Sequence, residues 1–124
     1  MRANHEVFFI GGAGHSGSTL LGLMLGSHPD VFYAGEAKKS VFIGNDRKPL
    51  RKRVCKLCGE GCPIWGTFRF PEHGDLYESI SERAGRRVVV DSTKTVAWVR
   101  ERLDATSASS RPFHVFLERD GRAV

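Results

Sequence analysis

Apolar residues gather in three short runs, at residues 7–10, 88–90 and 113–117, separated by longer stretches of mixed polarity. Runs of three to five such residues suit strands that are covered on both faces. After the first run a helix is expected from Thr19, with Leu20, Leu21, Met24 and Leu25 on one side. Gly22 and Gly26 would let that helix approach the sheet closely, and Pro29 enforces its end. Leu76, Ile80 and Ala84 repeat at helical spacing, with Gly85 as the stop. A last helix, carrying Val96, Val99 and Leu103 inward, follows the second run, and residues 107–112 form a loop. Residues from about 39 to 70 carry Pro49 and Pro63 and little periodicity, and are read as an irregular insertion or flap. Strands alternating with helices predict an α/β fold: a parallel β-sheet flanked by helices, with right-handed crossovers and a ligand at the carboxyl ends of the strands.

Candidate chemistry begins where the first run ends. Gly11-Gly12-Ala13-Gly14-His15-Ser16-Gly17-Ser18-Thr19 is a glycine-rich turn opening into the helix. Glycines let backbone approach an anion, and the first helical N–H groups point at it. Counted from Gly12 the spacing is Gly-x4-Gly-Ser-Thr, a nucleotide phosphate loop with Ser18 in place of the usual lysine. Without that lysine the loop lacks its partner for β- and γ-phosphates. It keeps the means to hold one 5′-phosphate.

Three blocks, in order, resemble the sulfotransferases that use 3′-phosphoadenosine 5′-phosphosulfate (PAPS). The first is His15-Ser16-Gly17-Ser18-Thr19-Leu20-Leu21, followed by His28-Pro29 and Gly35-Glu36. The second is Val88-Val89-Val90-Asp91-Ser92-Thr93-Lys94, and the third Phe116-Leu117-Glu118-Arg119-Asp120-Gly121-Arg122. The resemblance implies a P-loop NTPase-like sulfotransferase fold in truncated form. Residues 1–124 would be a partial sulfotransferase domain, the N-terminal part of a longer enzyme. One departure stands out: His15 occupies a position where the family has Arg or Lys.

The resemblance also implies a reaction, transfer of a sulfuryl group from PAPS to a hydroxyl or amine acceptor, with no metal required. Gly14, His15, Ser16, Gly17, Ser18, Thr19 and Leu20 would cradle the 5′-phosphate, and Arg119 would grip the 3′-phosphate. Lys94 would stabilise the bridging oxygen or the sulfuryl group, and Glu36 is the candidate base. His15 is open among three roles: base, phosphate ligand or bystander. As in phosphoryl transfer, positioning and electrostatics would carry catalysis. The acceptor would be a small molecule, a glycan or a peptide. Two other readings compete: a kinase- or GTPase-like protein with Asp91 as magnesium ligand, or a non-catalytic module that binds polyanions.

Charge narrows the partners without choosing among them. The chain has 124 residues and a formal net charge of +5, which favours an acidic ligand. Much of the excess lies in Arg47-Lys48-Pro49-Leu50-Arg51-Lys52-Arg53, readable as a solvated loop or as a recognition patch. No aromatic residues interleave there to stack bases, so nucleic acid is not the expected partner. Cys55, Cys58 and Cys62, spaced Cys-x2-Cys-x3-Cys, suit a thiol cluster, a labile disulfide or a metal knuckle lacking a clear fourth ligand. Similar cysteine-bearing insertions occur in some bacterial sulfotransferases. No apolar run approaches membrane-spanning length, and a cytoplasmic location is expected.

Overall fold

The computed structural model describes residues 2–12, 17–45, 47–55, 59, 61–71, 75–106 and 109–118. Four strands form one sheet: β1 (Glu6–Gly12), β2 (Val31–Tyr33), β3 (Val88–Asp91) and β4 (Arg111–Leu117). Their order is β2-β3-β1-β4, and every pairing is parallel. Four α-helices accompany them: α1 (Ser18–Leu25), α2 (Leu50–Arg53), α3 (Leu76–Ala84) and α4 (Val96–Ala105). A 3₁₀ helix spans Ala37–Phe42. The α/β architecture with a parallel sheet is as the sequence predicts. No helix among the described residues is long and apolar enough to cross a membrane.

Side-chain alternation along the strands separates the two faces. Val7, Phe9 and Val89 point to one side, where they form the main core with Leu76, Tyr77 and Ile80 of α3, Trp98 of α4, and Phe68. Tyr33, in register with Val90, points to the other side and meets α1. The sheet is thus sandwiched between α1 and the α3/α4 pair. β4 is an edge strand, which explains how Pro112 sits within it opposite Val7. Phe8 and Phe113 stack across the β1–β4 pair at 4.9 Å.

Several expectations need correction. The strand Val31–Tyr33 was not anticipated, because three residues are too few to show a period. In α1 the inward side is not the one carrying Leu20 and Met24, which are 65% and 63% exposed; it is the side of Ser18 and Gly22. A Cβ at Gly22 would stand 2.3 Å from the Tyr33 ring, so only glycine admits this approach. The helix reads Ser-Thr-Leu-Leu-Gly-Leu-Met-Leu and has no polar face, so periodicity could not orient it. In α4, Trp98 is buried while Val96 is 66% exposed and Leu103 is also exposed. The indole N–H, which finds a carboxylate inside, outweighs the aliphatic stripe. α3 packs as expected through Leu76 and Ile80, and Gly85 ends it in the left-handed conformation at φ 66°.

The described part of the insertion packs against the body of the fold. Its distal part buries Phe68 and Cys62, and Trp65 packs edge-on against Phe68 at 5.1 Å and against Phe32 of β2 at 6.1 Å. It also contains regular structure, in the end of the 3₁₀ helix and in α2. Aromatic burial anchors this segment where apolar periodicity gave no sign of order.

Candidate functional site

At the carboxyl end of β1 the chain turns back into α1 through Gly17, whose φ of 95° is in the left-handed region. The first helical bond is Leu21 N–H to the Gly17 carbonyl, 3.1 Å. The N–H groups of Ser18, Thr19 and Leu20 therefore precede the helical ladder, and Gly17 offers no side chain to cap them. Ser18 is 5% exposed and Thr19 is open to solvent. Leu20 contributes backbone alone, its side chain lying outward. Gly14, His15 and Ser16 lie outside the described residues, as does Arg119.

The carboxyl ends of β2 and β3 are laced together beside this helix start. The Ala34 N–H donates to the Val90 carbonyl at 2.9 Å, and the Ser92 N–H to the Gly35 carbonyl at 2.8 Å. The Ala37 N–H donates to Asp91 Oδ1 at 3.1 Å, and the Lys38 N–H to Thr93 Oγ1 at 3.1 Å. Residues 34–38 and 90–93 are thereby fixed side by side, which carries Glu36 to the neighbourhood of Lys94. Tyr33 adds a cross-link, its hydroxyl 2.9 Å from Ser92 Oγ. Glu36 is exposed and pairs with Lys39 at 3.4 Å. Lys94 is half-buried and sits just before Thr95, the N-cap of α4, rather than in the first turn of that helix.

Asp91 is the centre of this arrangement; the sequence reading placed it at a strand end and weighed it only as the magnesium ligand that a kinase-like protein would need. It is fully buried and accepts four hydrogen bonds. Oδ1 receives the N–H groups of Ala37 and, at 2.8 Å, Thr93; Oδ2 receives the Tyr77 hydroxyl at 2.7 Å and the Trp98 indole N–H at 2.9 Å. A carboxylate has about four lone-pair sites, and all are used. Asp91 is therefore a positioning residue and does not have an oxygen to give to a magnesium ion. The signal in the sequence was an acidic residue closing an all-valine strand two residues before Thr93, the pattern of an Asx turn.

These strand ends open onto a cavity of about 730 Å³. Its lining includes Ser18, Thr19, Gly35, Glu36, Ser92 and Lys94 from the strand ends and helix start. It also includes the apolar Phe42, Ile43, Val54 and Trp65 and the exposed Arg51 and Lys52. Cys55 also lines it, so the insertion supplies part of the wall. Of the sequence candidates, Ser18, Thr19, Glu36 and Lys94 share this one cavity, and Gly17 forms the adjoining turn. Tyr33, Ser92, Arg51 and Lys52 were not singled out as site residues. Among the described residues no group of three or more His, Cys, Asp or Glu could hold a metal ion; Cys58 lies outside them. Family models, curated proteins and solved structures were compared with the chain, and none matches.

Proposed function

We propose that the chain carries the phosphosulfate-binding half of a PAPS-dependent sulfotransferase with a P-loop-like sulfotransferase fold. The observation that carries this reading is the meeting of Ser18, Thr19, Glu36 and Lys94 on one cavity at the carboxyl ends of three parallel strands. Open α/β sheets bind ligands at that edge, and uncapped helical N–H groups favour an anion there. The residues present fit a single phosphate: three backbone donors, two hydroxyls and one ammonium, with no lysine at Ser18 to reach further phosphates.

PAPS, when bound, supplies the sulfuryl group on its 5′-phosphate. The N–H groups of Ser18, Thr19 and Leu20 hold that phosphate, and both hydroxyls donate to it. Lys94 faces the bridging oxygen and offsets the negative charge that gathers there as the sulfur–oxygen bond breaks. Glu36 takes the acceptor's proton at a carboxylate oxygen as the new sulfur–oxygen bond forms. The products are the sulfated acceptor, the proton on Glu36 and the bisphosphate nucleotide PAP. Arg119 is proposed to bind the 3′-phosphate, and His15 to join the cradle in place of Arg or Lys.

The kinase-like alternative loses support because Asp91 is committed to four internal donors. Calorimetric titration separates the two readings. PAP is expected to bind equally well with EDTA present, whereas magnesium-dependent binding of ATP with no affinity for PAP would reject the proposal.

A further inference from the structure

The residues proposed to hold the phosphate account for part of the cavity lining. The rest has two properties that do not serve a nucleotide phosphate. First, its wall is apolar and aromatic, built from Phe42, Ile43 and Trp65, all half-buried. Second, Arg51 and Lys52 stand exposed at its rim, and neither has a carboxylate partner among the described residues.

We infer that this part binds the acceptor, and that the acceptor is a small hydroxylated aromatic or alicyclic acid. The inference rests on the sulfuryl-transfer reading for the word acceptor, and on the cavity wall alone for the chemistry. Glu36 and Lys94 set the end where the reacting hydroxyl lies. The apolar body then covers Phe42, Ile43 and Trp65. The acidic group emerges at the rim against Arg51 and Lys52, whose charges suit a carboxylate, sulfate or phosphate. The basic run in the sequence is in this way a selectivity device for a compact acid. A cavity of this size suits a small molecule, since ligand sites run to roughly 300–1,000 Å³.

The test is calorimetry on the whole chain with a hydroxynaphthoate and with naphthol, its neutral counterpart, each with and without PAP. The acid is expected to bind about tenfold more tightly than naphthol, the worth of one good charge-assisted contact. That preference should shrink at high salt. In Arg51→Ala/Lys52→Ala it should fall to about twofold or less, as naphthol binding and PAP affinity stay unchanged. Circular dichroism checks that the double variant is folded; both rim residues are exposed, so folding should survive. Equal affinity for the two probes, or a preference that persists in the double variant, overturns the inference. So does binding of a heparin oligosaccharide in place of the small acid, which points to an extended polyanion. Failure of PAP to bind while the acid preference remains rejects the sulfuryl-transfer reading and leaves the acid pocket standing.

Discussion

The phenol of Tyr77 donates a 2.7 Å hydrogen bond to Asp91 Oδ2 directly beneath the candidate site. Both groups are buried, and burial, then the charge of Asp91 and the bond to it, push the Tyr77 phenol far above its ordinary value of 10.0. The neutral phenol is thus favoured in the folded state. Its contribution is complete below pH 10.0 and is lost as pH rises above that, because the unfolded chain gives up a proton that the folded chain keeps. Tyr77→Phe should lower stability at neutral pH by about 1–3 kcal/mol and flatten the alkaline limb. Urea midpoints measured from neutral to strongly alkaline pH check both.

Asp91→Asn should be worse than Tyr77→Phe. An amide turns one acceptor into a donor facing donors that are already in place, leaving at least one buried group unmatched. A loss of about 2 kcal/mol or more is expected, together with weaker PAP binding as residues 34–38 lose their anchor. A variant as stable as the parent would show that the four bonds are not the hub described.

Gly22 and Gly85 make a paired comparison. Alanine at Gly22 would drive its methyl into the Tyr33 ring, and the helix start would move with it. The expected cost is about 1–3 kcal/mol, as for other overpacked sites, accompanied by loss of nucleotide affinity. Alanine at Gly85 meets nothing nearby and bears only the left-handed φ of 66°, so it should cost on the order of 1 kcal/mol and leave binding alone. Thermal unfolding and PAP calorimetry on the two variants separate packing from strain.

Glu78 contributes to the acid limb. Burial works to raise its carboxyl, but the N–H groups of Ala3 and Asn4, and then Arg2, outweigh it and hold it below the ordinary 4.5. Those bonds, 2.8–3.0 Å long, pin the segment that leads into β1. Stability from a lowered carboxyl is present above pH 4.5 and is lost as pH falls below it, because the unfolded chain takes up the proton first. Glu78→Gln should cost on the order of 1 kcal/mol at neutral pH, and its stability should converge with the parent's in acid. Thermal midpoints across that range would record the convergence.

On the proposed reading, catalysis divides between Glu36 and Lys94. Glu36→Gln should slow sulfuryl transfer by ~10²–10⁴ while PAP affinity holds, because a base acts on the acceptor. Lys94→Ala should slow transfer and also weaken PAP. Steady-state rates with calorimetry decide it. If Glu36→Gln retains its rate and His15→Ala abolishes it, the base is His15.

What the sequence determined is what neighbours in the chain can fix. A strand, a glycine-rich stretch and a helix start lie within Gly12 to Thr19 and its flanks, so a candidate anion site was legible without knowing the rest of the fold. Lys94 was singled out by the resemblance of residues 88–94 to the sulfotransferase motif, and Gly85 by its place at the end of a periodic stripe. The tertiary structure decided everything that depends on pairing distant segments. α1 offered apolar residues on all sides, and only the meeting of Gly22 with Tyr33 chose the face. Asp91 looked like a free carboxylate until Ala37, Tyr77 and Trp98 closed around it. Ser40, Arg51 and Trp65 looked unrelated until one cavity gathered them. Periodicity reports which residues avoid water, but a hydrogen bond or a cavity wall needs the register between elements, which is set only when the sheet and its layers pack.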